Sequence, residues 1–324
     1  MTAGSKMTGA DVAALVVTYN RKVLLGECLH AILAQDHSVK KLIVIDNAST
    51  DGTEALFAPG GEFDMPVIDY RRMQDNLGGA GGFKEGLSVA RDSVCDWVWL
   101  MDDDCIARPD TLSKLVEASR IPEGRVSFLA SSVFGPEGEP MNVPTVDDGL
   151  SSNGYPDWYR DLGEGLLKIK RATFVSLFIN MDAVKQIGLP IASYFIWGDD
   201  TEYTSRLTRF YGPAYMVGTS KILHKRKNAK SLDIQNESDP KRLRNFRFHT
   251  RNNLIFFKIY EGKSTLRAVF PVLKHAMHCL VKGDGGFKAR SARFNALVSG
   301  VADFVFHRYD LEDLGELLRK GSIQ

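Results

Sequence analysis

At 324 residues, with 44% hydrophobic and 25% charged side chains, the chain has the make-up of a globular protein that can bury one large core, which excludes disorder as its default state. A net charge of +1 excludes a strongly basic whole-chain field, so nucleic acid is not an expected partner. Cys28, Cys95, Cys105 and Cys279 are scattered without paired metal-ligand spacing, and fit buried or idle thiols in a reducing cytoplasm.

The residues through Thr8 lack the apolar stretch of a secretory signal. No run approaches the roughly 18 uncharged apolar residues of a spanning helix. A cytoplasmic location is expected, with any membrane contact peripheral and on the inner face.

From Ala13 to Thr18 a continuous apolar run predicts a strand buried on both faces, stopping at Tyr19, Asn20 and Arg21. Leu25, Cys28, Leu29, Ile32 and Leu33 recur at helical spacing, and Leu42 to Ile45 predicts a second strand ending at Asp46. Val67 to Tyr70 predicts a strand, Phe83 to Ala90 a helix after a glycine loop, and Trp97 to Met101 another strand. Such alternation predicts an α/β fold with a mostly parallel sheet and right-handed crossovers. A helix over Thr111 to Ser119, after Pro109, and a strand over Val126 to Phe134 continue the pattern.

Gly135 to Gly165 reads as a long loop, Ile169 to Phe178 as a strand, Asp199 to Glu202 as a helix start with Tyr203, Leu207 and Phe210 inward, and a short strand leads to His224. Near Asn228 the composition shifts, dividing the chain into an α/β domain over 1–228 and a mainly helical region over 229–324. In the latter, Leu266, Val269, Phe270, Leu273, Met277 and Val281 share a face while Lys274, His275 and Lys282 approach solvent. Two readings stand for it: packing on the main domain, or lying on an anionic membrane surface.

In open α/β sheets ligands bind beyond the carboxyl ends of the strands, and here those positions hold Thr18, Tyr19 and Asn20, then Asp46 and Asn47, then Asn76, then Asp102, Asp103 and Asp104. Three adjacent carboxylates repel one another unless a cation neutralises them. Oxygen ligands suit Mg or Mn, and alternation along an extended segment lets Asp102 and Asp104 reach one ion while Asp103 turns aside. Asn76 to Gly82, which includes Gly78 and Gly79, matches neither the P-loop nor the dinucleotide fingerprint; it serves either a close backbone approach to a ligand or simple flexibility. Asp199 and Asp200 supply an acidic pair fit either to deprotonate an acceptor hydroxyl or to cap a helix. His224 is either a third metal ligand or a structural histidine.

Val16-Val17-Thr18-Tyr19-Asn20-Arg21, Val44-Ile45-Asp46-Asn47-Ala48-Ser49-Thr50-Asp51-Gly52-Thr53 and the Asp102 to Asp104 run together resemble the inverting family 2 glycosyltransferases of the GT-A fold. Asn76 to Phe83, Trp97 to Asp104 and Phe195-Ile196-Trp197-Gly198-Asp199-Asp200 are similar to the bacterial galactofuranosyltransferases. The resemblance spans roughly Ala13 to His224. It implies a Rossmann-like nucleotide-sugar-binding sheet flanked by helices, with a C-terminal helical extension. It further implies that Thr18, Tyr19 and Asp46 hold uridine, and that Asn76, Gly78, Gly79 and Asp103 lie beside the nucleotide-sugar. Asp102, Asp104 and His224 are implied to bind Mn or Mg on the diphosphate, Asp200 to act as general base beside Asp199, and Trp197 to shape the acceptor pocket. Polymerising members carry extra domains at both ends, so the short stretch before Ala13 favours an initiating or single-linkage enzyme.

The expected reaction is inverting transfer of galactofuranose from UDP-galactofuranose to a cell-envelope glycan or lipid-linked acceptor. Its rivals are a rhamnosyltransferase using dTDP-rhamnose and a non-catalytic nucleotide-sugar or carbohydrate-binding protein. A nucleotidyltransferase should place a glycine-rich loop with a basic residue directly after the first strand, where Thr18-Tyr19-Asn20 stands instead. Oligomeric state has no signal.

Overall fold

The computed structural model describes residues 9–226 and 233–311; the N-terminal residues read for a leader and the expected boundary at 228 and 229 lie outside the described residues. In chain order the elements are β1 (Val12–Thr18), α1 (Lys22–Leu33), β2 (Lys41–Asp46), β3 (Ile68–Arg72), α2 (Gly78–Arg91), β4 (Trp97–Asp102), β5 (Cys105–Ala107), α3 (Thr111–Ala118), β6 (Phe128–Phe134), β7 (Thr145–Val146), β8 (Leu166–Arg171), β9 (Leu177–Asn180), α4 (Met181–Ile187), α5 (Asp199–Phe210) and β10 (Ala214–His224). Three longer helices follow: α6 (Pro240–Tyr260), α7 (Thr265–Lys282) and α8 (Phe287–Val305). The chain falls into two compact units, one of Met1–Asn76, Gly82–Leu189 and Thr204–Ala229, the other of Leu77–Gly81, Pro190–Tyr203 and Lys230–Gln324.

All strands belong to the first unit, in the order β3-β2-β1-β4-β9-β6-β10-β8-β7, with β5 paired to β10. β1 is buried along its whole length, as its unbroken Val-Ala-Ala-Leu-Val-Val run requires of a central strand covered on both faces. It pairs in parallel with β2 and β4 in a register that sets Thr18 opposite Asp46 and Val17 opposite Asp102, so three strands deliver polar side chains to one edge. Leu25, Leu29 and Ile32 of α1 join Val44, Trp99 and Met101 in the core on one face.

Three expectations are corrected. The glycines are not a loop: α2 begins at Gly78, and on it a Cβ at Gly82 would stand 2.5 Å from Val17 Cγ1, so the glycine serves close helix–strand packing. The apolar stretch 169–178 is not one strand. It breaks into β8 and β9, with Ser176 in the left-handed region at φ 59° and its hydroxyl accepting from Trp99 Nε1 at 3.0 Å; a continuous apolar run hides such a break. β9 then runs antiparallel between β4 and β6, so the parallel core is flanked by a mixed half. The strand before His224, expected to be short, spans 11 residues with an irregularity between Val217 and Lys221.

In the second unit α6, α7 and α8 enclose a smaller cluster containing Ile234, Leu243, Phe246, Ala276, Cys279 and Leu297. α6 opens on an Asp239 cap that accepts from Lys241 N, with Pro240 in its first turn. Buried Asp303 of α8 accepts from Arg247 of α6 at 2.5 and 2.9 Å, a two-pronged carboxylate–guanidinium pair.

Candidate active site

The sheet edge of the first unit gathers the carboxylates. Asp46 is fully buried: Oδ1 accepts from Ser49 N at 2.8 Å and Oδ2 from Tyr70 OH at 2.7 Å, which leaves each oxygen a further lone pair. Thr18 Oγ1 donates to Asp103 Oδ2 at 2.7 Å, joining the ends of β1 and β4. Tyr19 is exposed beside it, and Asn76 is half-buried between β3 and α2.

Arg21, which the sequence placed in a motif but gave no role, is the cation of this edge. Its Nη1 donates to Asp103 Oδ1 at 3.0 Å and to Asp104 Oδ2 at 2.7 Å. The signal was present: a lone guanidinium just beyond a central strand, facing an edge that carries three acids. Burial pushes Asp102 well above the ordinary carboxylate range, and Asp104 adds to the effect. Burial likewise pushes Asp103 up to about 6, with Arg21 opposing.

Asp104 goes the other way. Burial would raise it, but the His224 ring and then Arg21 hold it below the usual range. Asp104 Oδ1 lies 3.0 Å from His224 Nε2 and is buried without a well-aligned hydrogen bond. On His224, burial pulls the ring down, and Asp104 followed by Asp102 outweighs it, so the ring's pKa is raised. Nδ1 of His224 lies 2.9 Å from Asn142 Oδ1; a proton held there leaves Nε2 as the open lone pair, the arrangement that orients a ligating histidine. Asn142 itself, 82 residues from its partner and inside an irregular stretch, gave no signal in the sequence.

Cys105, expected to be idle, offers its sulfur within 4.8 Å of ligand atoms of Asp104 and His224. Burial, followed by Asp102 and Asp104, pushes its thiol well above its ordinary value, so it stays protonated and ligates poorly. A buried carboxylate oxygen without an aligned partner beside an oriented imidazole fits a divalent cation. Asp102, expected to share that ion, is not within the three-residue group.

The second unit holds the other expected residues. Asp199 and Asp200 open α5, and the segment leading to them is left-handed, with Phe195 at φ 62° and Trp197 at φ 60° strained and Gly198 at φ 100° free to adopt it. Asn252 of α6 holds it. Its Nδ2 donates to the carbonyls of Tyr194 at 3.0 Å, Ile196 at 3.3 Å and Trp197 at 2.8 Å, while its Oδ1 accepts from Arg251 Nε and Nη2 at 3.0 and 2.9 Å, which fixes which way the amide faces. Gly78 lies against the same segment: it has φ 73°, and a Cβ there would stand 2.0 Å from Phe195 O, so no other residue fits. Gly79 has open space at its Cβ position.

Asp199 is buried and Asp200 half-exposed. Burial raises both carboxyls, with Asp200 the next cause for Asp199; for Asp200, hydrogen bonds led by that from the Thr201 backbone oppose the shift. Trp197 is half-buried, edge-on to Phe246 at 5.2 Å with the Arg242 guanidinium 6.0 Å from its ring centre, so packing occupies much of its surface.

Residues 13–161 match the sequence model of Glycosyl transferase family 2. Galactofuranosyltransferase GlfT1 of Mycolicibacterium smegmatis is 33% identical over 219 residues, 66% of this chain and 70% of that protein. The protein of the same name from Mycobacterium tuberculosis is 29% identical over 202 residues, 61% of this chain and 65% of its own length, so the chain spans about two thirds of these relatives. Among solved structures, GalNAc-T7 with UDP, GalNAc and Mn2+ matches 94% of this chain and 59% of its own at a TM-score of 0.59 and 14% identity. Mannosyltransferase PcManGT of Pyrobaculum calidifontis with GDP-Man and Mn2+ matches 98% of this chain and 80% of its own at 0.51 and 16%. These last two likenesses show the fold, which is that of the GT-A glycosyltransferases. The strand-end acids, the family match and the relatives agree: the chain belongs to glycosyl transferase family 2.

Proposed function

We propose that the chain transfers galactofuranose from UDP-galactofuranose to a hydroxyl of a cell-envelope glycan or lipid-linked acceptor, with inversion and with a divalent cation. The observation that carries the reading is the pairing of buried Asp104 Oδ1 with the Nε2 lone pair of His224 at the edge where β1, β2 and β4 end. The galactofuranosyltransferase names of the relatives support the donor, and the Mn2+ in the solved structures supports a cation. Mn suits this donor set better than Mg, because Mg strongly prefers oxygen and one donor here is an imidazole nitrogen.

In this assignment Thr18, Tyr19 and Asp46 hold the uridine, and Asn76, Gly78, Gly79 and Asp103 lie along the nucleotide-sugar, Asp103 by fixing the Thr18 hydroxyl. Asp104 and His224 would hold the cation, with Asp102 at the strand end beside them, and the cation would offset negative charge growing on the departing diphosphate. Asp200, the less buried acid of its pair, takes the proton of the acceptor hydroxyl with Asp199 as its neighbour, and Trp197 walls the acceptor.

The test is nucleotide release from a panel of UDP- and dTDP-sugars with Mn and lipid-linked or simple glycoside acceptors. Release that needs UDP-galactofuranose, Mn and acceptor together is expected. Turnover of dTDP-rhamnose instead transfers the assignment to a rhamnosyltransferase, and binding of donors without turnover of any overturns the catalytic reading.

A further inference from the structure

Helix α7 buries only the small residues Ala268, Ala276 and Cys279. Val272 packs partly on the cluster of the second unit, but five large apolar side chains point elsewhere: Leu266 is 81% exposed, Phe270 68%, Leu273 39%, Met277 50% and Val281 61%. Steps of four, three, four and four residues place these five in one stripe. Covering apolar side chains of this size is favourable, so a stripe of five left in water signals a missing partner.

The charge around it is of one sign. Between Ser264 and Gly283 there is no acidic side chain, while Arg267, Lys274 and Lys282 lie beside or at the end of the stripe. None of the three has an ion-pair partner among the described residues. Phe287, at the start of α8, is also exposed.

A second copy is a poor occupant, since a two-fold pairing of the stripe on itself brings Lys274 against its own counterpart. An anionic bilayer meets both halves of the pattern, with apolar side chains entering at the depth of the acyl boundary and cations at the phosphates. No described helix is long and apolar enough to cross a membrane, so the contact is one of surface docking. We propose that α7 lies on an anionic lipid surface, with Leu266, Phe270, Leu273, Met277 and Val281 inserted and Arg267, Lys274 and Lys282 at the headgroups. This stands apart from the donor assignment, since it uses no residue of the candidate active site.

The test is flotation of the full chain with vesicles of phosphatidylcholine alone and of equimolar phosphatidylcholine and phosphatidylglycerol. Flotation with the mixed vesicles only, weakening as salt rises, is expected. Phe270→Glu with Met277→Glu should abolish it, and Lys274→Glu with Arg267→Glu should lower partitioning roughly tenfold or more. Each variant changes exposed side chains, and circular dichroism and donor binding report that it folds. Failure of the wild type to float, flotation that survives both double variants, or a dimer in size-exclusion chromatography that Phe270→Glu converts to monomer would each overturn the proposal.

Discussion

Arg21, Asp104 and His224 form a chain of opposite charges whose proton inventory changes with pH. Asp102, Asp103 and His224 all bind a proton more tightly folded than unfolded, Asp103 with its value raised to about 6. A raised pKa contributes stability that is present below the unfolded value and lost as pH rises through the folded one. Asp104, with its lowered pKa, acts in the opposite sense and contributes above the ordinary carboxylate range, losing its share only as pH falls through its own folded value. Metal-free protein is therefore expected to melt at progressively lower temperature as pH rises from about 5 into the range where His224 loses its proton, the signs of three groups agreeing. Mn should bind more tightly over the same range, since it competes with the His224 proton, and the Tm loss should shrink when Mn is present. His224→Gln should flatten the pH dependence of Mn affinity; an unchanged profile in calorimetry would remove His224 from the ligand set.

Its orienting partner makes a second prediction. Asn142→Ala frees the ring without touching a ligand atom, so Mn affinity should fall by about 10-fold to 100-fold while metal-free UDP binding is unchanged. Isothermal titration with and without Mn reads both quantities.

The strain in Phe195 and Trp197 is held from a neighbouring element, α6. Asn252→Asp keeps the shape and the acceptor for Arg251 but replaces three donated hydrogen bonds with an oxygen facing three carbonyls. If that segment positions Asp200, kcat should fall about 100-fold, as expected for misplacement of a reacting group by roughly 1 Å, while donor KM stays near its wild-type value. Loss of stability alone would lower the active fraction and leave kcat per folded molecule unchanged, so an active-site titration separates the two.

Helix α2 makes a stability prediction of a different kind. A methyl group at Gly82 meets Val17 Cγ1 at 2.5 Å and Asn47 Nδ2 at 2.9 Å, and neither neighbour sits at the tip of a long flexible side chain. Overpacking of this sort costs about 1–3 kcal/mol, so Gly82→Ala should lower the Tm by several degrees, which a thermal melt measures.

Over the whole chain, what the sequence revealed follows from the range of each interaction. β1, β2 and β4 were legible because a strand covered on both faces must be an unbroken apolar run, and the polar residues that close them, Thr18, Asp46 and Asp102, were legible because each ends such a run. The antiparallel insertion of β9 was not, since pairing direction leaves no mark on the strand's own residues. Thr18 and Asp103 meet across 85 residues, His224 and Asn142 across 82, and Asn252 and Trp197 across 55, so Asn142 and Asn252 announce nothing locally. The glycines of α2 are plain in the sequence but their role is not: a run of glycine reads equally as mobility, ligand approach or close packing until the opposing side chain is known.

The distribution of chemistry between the two units permits a separation of functions. Asp104 and His224 lie in the first and Asp199 and Asp200 in the second, so one set can be disabled while the other is left intact. Asp104→Asn should abolish Mn-dependent UDP binding and, with it, transfer. Asp200→Asn should leave Mn-dependent UDP binding within error of wild type and abolish transfer, because an amide cannot accept the acceptor's proton. Burial raises the Asp200 carboxyl, so the acid limb of the wild-type kcat profile should lie above the ordinary carboxylate range, transfer falling as the base is protonated. Residual transfer in Asp200→Asn that retains this acid limb would assign the base to another group, and equal loss of UDP binding in both variants would show that the two sets do not act independently.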